Sequence, residues 1–350
     1  MENPIWHQKG WPYLTWNNKE LSYVLGEVRN RQGRLAGKSG LLGLDIKKET
    51  LLNSISNDII KSSELEGKML DEDLVQSSVA GHLNIKMPGM PATDPYIEQI
   101  VNDKVDALSN YRRPVTEERI FKWKNCFGVV NEQVSYRQAN TNTKGANLYE
   151  SNTIQIADEI KRFIKWMNTA HPIDPVLKAG VAHLRLLFIQ PFNEDNGRIA
   201  RLLMDIFLTR ADDQPKRLFC MSVQLHKKQD AYNDAIRQAR QNESLDITDW
   251  LMWFLYCLES ALIEAENSLT RILAKSKFWE RYRLMRLNER QVKMINMMWE
   301  GMEGNLTSSL WANVNYCSPD TALRDIQDLI DKKILYKKDA GGRSTSYELN

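Results

Sequence analysis

The sequence predicts a mainly α-helical fold, with one β-hairpin between helices near mid-chain and a helix-helix-helix-hairpin module at the C-terminus. Three patterns carry that prediction. Apolar residues recur at helical spacing across 96–111, again at Ile156, Ile160, Phe163, Ile164 and Met167, and on both sides of a polar turn near 190. The pattern breaks into short polar and β-prone pieces only at 127–153, around Val134-Ser135-Tyr136-Arg137 and Asn140-Thr141-Asn142-Thr143-Lys144-Gly145, which predicts the hairpin. Beyond Leu287 three short helical stretches precede two β-prone runs about a glycine turn.

A length of 350 residues predicts two or three domains, placed at 1–95, 96–280 and 281–350. The first begins with Trp11-Pro12 and Trp16, followed by a helix-like run through Leu21, Val24, Leu25 and Val28. Pro88, Gly89, Pro91 and Pro95 then interrupt any helix before the period returns at Tyr96. The composition, 42% hydrophobic and 26% charged, is that of a soluble globular protein. A net charge of +2 implies no general attraction to nucleic acid or membrane. Cys126, Cys220, Cys257 and Cys317 lie far apart with no C-x-x-C spacing, so they read as reduced thiols rather than a zinc or redox site. Met1-Glu2-Asn3-Pro4 carries no basic n-region, no apolar run reaches membrane length, and a cytoplasmic protein is expected.

The chemistry concentrates at 189–201, Ile-Gln-Pro-Phe-Asn-Glu-Asp-Asn-Gly-Arg-Ile-Ala-Arg. Val181, Leu184, Leu187 and Phe188 precede it at helical spacing, and Ile199, Leu202, Leu203, Ile206 and Phe207 follow it likewise. The polar insert therefore sits at a helix-loop-helix junction. There the free N–H groups and positive end of the second helix form an anion pocket. Gly197 lets backbone approach a ligand, and Arg198 and Arg201 can reach phosphate oxygens.

This run resembles the signature of the Fic family, His-Pro-Phe-x-Asp/Glu-Gly-Asn-Gly-Arg-x-x-Arg. Pro191, Phe192, Glu194, Asn196, Gly197, Arg198 and Arg201 match it. Gln190 stands in place of the histidine and Asp195 in place of the first glycine. The resemblance implies a Fic-type helical core with a β-hairpin flap, and transfer of AMP from ATP to a Ser, Thr or Tyr hydroxyl of a target protein. It implies Mg²⁺ at Glu194, phosphates at Asn196, Gly197 and Arg198, and the γ-phosphate at Arg201. The family's histidine is the general base; glutamine orients a hydroxyl but accepts no proton, and losing a positioned base typically costs about 10²–10⁴ in rate. Asp195 beside an anion hole repels a triphosphate unless a metal offsets it, or else recruits or bridges a metal itself.

Upstream, Ser62-Ser63-Glu64-Leu65-Glu66-Gly67 resembles the family's inhibitory-helix motif. Spacing of four puts Ser62 and Glu66 on one helical face, which a solvated surface also produces. By resemblance, Glu66 pairs with Arg201 and occupies the γ-phosphate's space. Keeping it beside Gln190 leaves two explanations open: a purely structural ion pair, or a His→Gln change in an otherwise intact enzyme. Segment 32–43 resembles the N-terminal extension of the subgroup that carries this helix, and reads equally as a plain helical hairpin. Arg137 falls on the expected flap, where the family docks its target segment by strand addition. His183 reads as a packed core histidine rather than a ligand.

In the C-terminal module, Asn288-Glu289-Arg290-Gln291 opens a helix with Val292, Ile295 and Met298 inward. A short helix follows over 307–314. Ser318-Pro319 caps the next, which is expected to bury Ala322, Ile326, Leu329 and Ile330 and to expose Thr321, Arg324, Asp325 and Asp328. With strands at 334–336 and 345–349 about Gly341-Gly342, this is the winged helix-turn-helix layout, found by resemblance in many Fic proteins. Arg324, Lys337, Lys338 and Arg343 are candidate phosphate contacts, against Asp320, Asp325, Asp328 and Asp331 on the same helix. The sequence thus predicts an adenylyltransferase-type scaffold with weak or absent turnover. The alternatives are a non-enzymatic regulator acting through DNA or protein, and a hydrolase or AMP-removing enzyme using a metal-bound water. The expected partners are a target protein at the flap, with DNA and a second copy of the chain as further candidates; no membrane is expected.

Overall fold

A computed structural model describes residues 4–86, 89, 94–124, 135–138, 153–215, 217–302, 304–338 and 345–350. The chain separates into two compact units, Met1–Asn267 and Ser268–Asn350. Among the described residues the fold is mainly helical, with one antiparallel strand pair. No described helix is long and apolar enough to cross a membrane.

The first unit begins with α1 (Asn18–Gly40), whose start is fixed by the Asn17 side chain accepting from the N–H groups of Lys19 and Glu20. Next come α2 (Leu44–Glu64), α3 (Glu72–His82) and α4 (Pro95–Ser109). Asp71 caps α3, and Asp94 with Pro95 in the first turn starts α4. These helices close over a core of Leu52, Ile55, Ile59, Val75, Val79 and Ile100. Burying such side chains stabilises by about 1.5–3 kcal/mol each.

The central pair is α7 (Pro175–Ile189) and α8 (Asn196–Asp212), preceded by α5 (Glu117–Lys124) and α6 (Thr153–Asn168). Every residue of α7 after Pro175 is buried, including Lys178, His183 and Arg185. The first unit also holds α9 (Met221–Lys227), α10 (Gln229–Arg240) and the start of α11 (Thr248–Arg281). α11 lies tight against α7 at Gly180, where a Cβ would come within 2.9 Å of Leu251. Trp250 Nε1 donates to the Gly180 carbonyl at 3.0 Å across the same contact.

In the second unit α12 (Glu289–Glu300), α13 (Ser308–Val314) and α14 (Pro319–Asp331) precede β1 (Leu335–Lys337) and β2 (Tyr347–Leu349). The strands pair antiparallel, with Leu335 opposite Leu349. Phe278, Met294, Ile295, Trp311, Ile326 and Leu329 form its core. Two burial assignments change. Val292 is exposed while Gln291 and Met294 point in beside Ile295, which is buried as expected. Asp325 is buried rather than exposed: it accepts from Asn288 Nδ2 and takes both Arg290 nitrogens, at 2.7 and 3.0 Å. The glycine turn and Arg343 lie outside the described residues, as does the mid-chain hairpin apart from 135–138.

Candidate active site

The loop between α7 and α8 is shaped by two left-handed residues, Gln190 at φ +45° and Asp195 at φ +64°. Gln190 ends α7, with its N–H on the Leu186 carbonyl, and Asp195 starts α8 without capping it through its side chain. Glycine favours this region, and Asp is among the few other residues that visit it readily. The loop is then stapled by Asn196. Its amide nitrogen donates to the Phe192 carbonyl at 2.7 Å, and its oxygen accepts from the Phe192 N–H at 3.0 Å. Phe192 packs against the rings of Phe121 and Tyr136. Arg137 holds the other side, with Nε donating to Gln190 O at 2.7 Å and its backbone N–H to Pro191 O at 2.9 Å.

The two loop arginines face different elements. Arg198 donates to Asp103 of α4 at 2.8 Å and to the Trp123 carbonyl of α5. Arg201 turns to the end of α2: Nε donates to Ser62 Oγ, and Nη2 to the Ser62 carbonyl and Glu66 Oε1, each at 2.8 Å. The Glu66 carboxylate lies directly against Gly197 in the first turn of α8, where a Cβ would overlap its oxygen. An anion already sits where the helix dipole and free N–H groups attract one. What remains open between Arg198, Arg201, Ser62 and Asp58 is a cavity of about 20 Å³, room for one water.

α2 is held in position for this contact by buried charge. Lys104 of α4 bridges Asp58 of α2 and Asp205 of α8, and Arg217 adds to Asp205. Burial pushes the Asp58 carboxyl up, but the Lys104 charge and hydrogen bond outweigh it and hold it below the usual carboxylate range. Asp58, Ser62 and Glu66 follow at spacings of four, so anchoring the first on the core aims the other two at Arg201. Gly67, at φ +74°, terminates the helix, with the Lys68 N–H on the Ser63 carbonyl.

Asp195 faces two lysines. Lys68 Nζ is 2.9 Å from Oδ1, and Lys124 Nζ is 3.1 Å from Oδ2 and 3.2 Å from Glu194 Oε1. Burial raises the Asp195 carboxyl, but the Lys68 hydrogen bond and the Arg198 and Lys124 charges bring it below its ordinary value. His183 is buried behind Arg201, whose charge it feels, and is spent on packing. Its Nε2 pairs with the Tyr232 hydroxyl at 2.8 Å, its ring stacks on Trp250, and burial pushes its pKa down to about 3.

Residues 114–208 match the Fic/DOC family, spanning α5 through most of α8 and including the whole loop. The chain carries a Fic/DOC family domain. Residues 5–85 match a domain of unknown function, DUF4172, which covers the segment that delivers Glu66. The chain is 43% identical over 58 residues to protein adenylyltransferase Fic of Drosophila melanogaster, and 34% over 62 residues to protein adenylyltransferase fic-1 of Caenorhabditis elegans. These matches cover 16% and 17% of the chain and 12% of each relative's length. Among solved structures, a Fic family protein from Desulfovibrio desulfuricans superposes with TM-score 0.56 at 16% identity, covering 97% of this chain and 98% of that one. Fic-1 of C. elegans superposes with TM-score 0.51 at 16% identity, over 72% and 74% of the two chains.

In this Fic domain the signature residues divide by contact. Glu66, Gly197 and Arg201 meet at the anion pocket, with Ser62 behind them. Asn196 bonds the loop's own backbone, and Arg198, which lines the cavity, also holds Asp103 and Trp123. Lys68 and Lys124 are the polar residues that sequence reasoning missed. They lie 127 and 71 positions from Asp195, and no local pattern marks them.

Proposed function

We propose that the chain is a nucleotide-binding Fic protein of the adenylyltransferase type, held closed by Glu66, with AMP transfer weak or absent. One observation carries this reading. The Glu66 carboxylate bonds Arg201 and rests on Gly197 at the head of α8, where the resemblance to the family puts an ATP phosphate. An acidic side chain placed there competes with a polyphosphate for the same cation and the same helix dipole. Gln190 supports weak turnover, since its amide takes no proton from an attacking hydroxyl near neutral pH. The hydroxyl belongs to a protein segment, for which the 135–138 strip beside the loop is the proposed dock. The resemblance assigns Mg²⁺ to Glu194, the signature's carboxylate, but its Oε1 already holds the Lys124 ammonium.

A regulator without catalysis is the second reading, favoured by Gln190 and Asp195 together. Its output would be the C-terminal module, read as a winged helix contacting DNA or protein. Burial of Asp325 against Arg290 removes one acid from the exposed face of α14. Binding to duplex DNA that weakens steeply with salt would favour it.

The deciding experiment is calorimetric titration of ATP with Mg²⁺ into the parent and Glu66→Gly proteins. The reading expects Glu66→Gly to bind at least about tenfold more tightly, the weight of one charge-assisted contact. Gln190→His in that background should then label a hydroxyl-bearing protein with AMP. Equal, negligible binding by parent and variant would remove the nucleotide reading.

A further inference from the structure

The loop is supplied with positive charge by residues outside the signature. Lys124, at the end of α5, reaches Glu194 Oε1 and Asp195 Oδ2 at 3.2 and 3.1 Å, so one ammonium spans both carboxylates. Lys68, one residue past the turn that ends α2, takes the other Asp195 oxygen at 2.9 Å. The Asp195 side chain is 3% exposed and that of Lys124 16%, so this contact is shielded, whereas Glu194 at 57% faces solvent.

Mg²⁺ demands oxygen ligands at about 2.0–2.1 Å in an octahedron and keeps several of its waters. The carboxylates it would use here are those that Lys124 joins. To enter, the ion must either expel the lysine or lie against its ammonium, and two cations at that separation repel. The donor set therefore does not fit a divalent ion while Lys124 stays in place. The same ammonium fits a phosphate: lysine binds phosphate as a point charge with three donors and no fixed geometry. Each cation of the pocket also has a carboxylate opposite it: Lys68 and Lys124 face Asp195, Arg198 faces Asp103, and Arg201 faces Glu66. When Glu66 leaves, the pocket gains a positive charge that an incoming phosphate can neutralise.

We infer that Lys124 takes the place of the divalent cation in this loop, so that the chain binds nucleotide phosphate through its own ammonium groups without a metal ion. This rests on the nucleotide pocket proposed above. Glu194 then serves to hold the lysine rather than a metal.

The test uses the full chain carrying Glu66→Gly, titrated with ATP by calorimetry in EDTA and in Mg²⁺. The dissociation constants are expected to agree within about twofold. Lys124→Met should weaken binding in EDTA by roughly ten- to hundredfold, the loss of one charged hydrogen bond, and Mg²⁺ should restore part of it. Lys124→Arg keeps the charge and should keep metal-free binding, which separates a charge role from a merely structural one; thermal melts establish that both variants fold. Binding by the Glu66→Gly protein only when Mg²⁺ is present overturns the inference and leaves the pocket standing. No binding in either buffer overturns both.

Discussion

Replacing Asp195 with glycine restores the family's residue, and the structure gives its effects on stability and on ligand affinity opposite signs. Two backbone terms nearly cancel. Relief of the left-handed conformation at φ +64° favours glycine by about 1 kcal/mol, and its extra unfolded-state entropy costs about 0.5–1 kcal/mol. The side-chain term remains. Asp195 carries contacts to Lys68 and Lys124, whose side chains are 32% and 16% exposed. Both lysines can rehydrate, and Lys124 keeps Glu194, so the loss is about 2 kcal/mol rather than the roughly 3–5 kcal/mol of an orphaned buried charge. At about 2–4 °C per kcal/mol for a unit of this size, the melting temperature should fall by roughly 4–8 °C. For a phosphate, removing one negative charge at about 5 Å and an effective dielectric of about 20 is worth up to about 3 kcal/mol. The lysines already offset part of that charge, which leaves about 1–2 kcal/mol, a gain of roughly five- to thirtyfold. Differential scanning fluorimetry and calorimetry with ATP, both in the Glu66→Gly background, read the two effects. A variant that melts higher and binds ATP no better would refute the lysine-held carboxylate.

Gly197→Ala places a methyl group on Glu66 Oε1, and chemical denaturation should show a loss of about 1–3 kcal/mol. In Glu66→Gly the same change should stabilise slightly, because alanine is the better helix former, so additivity in this cycle would contradict the contact. His183 supplies an acid-sensitive term. Its folded pKa of about 3 lies below the ordinary 6.5, so its contribution is complete above pH 6.5 and is lost progressively as pH falls toward 3. At pH 5 that loss is about 2 kcal/mol. His183→Phe should therefore flatten the fall in melting temperature between pH 6.5 and 5, and an unchanged slope would place the acid lability elsewhere.

The helices and the loop were legible because their signals are local: apolar residues at period 3.6, caps such as Asn17 and Asp94, and a rare order of polar residues at 190–201. The Glu66–Arg201 pairing was also within reach, although 135 positions separate the partners, because the resemblance supplied it. What sequence could not supply was the partner of each charge. Asp195 read as a repulsive or metal-recruiting carboxylate because Lys68 and Lys124 are near it only in space. Asp325 read as surface because acids on an amphipathic helix usually are, yet Arg290 and Asn288 fold over it. Asn196 read as a phosphate ligand, while its amide closes on Phe192 four residues back. Val292 lies at the rim of the apolar face of α12, 36% exposed, while Ile295 a turn later is fully buried.

The end of α2 couples the pocket's anion to its extra cation. Glu66, Gly67 and Lys68 are consecutive, with Glu66 on Arg201 and Lys68 on Asp195. The left-handed Gly67 between them lets neighbouring side chains reach opposite sides of the loop. Withdrawing Glu66 cannot leave Lys68 undisturbed, because both depend on backbone bonds to the Ser63 carbonyl at 2.9 and 3.0 Å. In the proposed opening, withdrawal of Glu66 would remove an acid from Arg201 and loosen Lys68 from Asp195 in one step. The buried Asp58–Lys104–Asp205 bridge lies two turns earlier on the same helix. It holds the rest of α2 on the core, so the proposed opening would be confined to the last turn and would be a property of a few residues rather than of a domain.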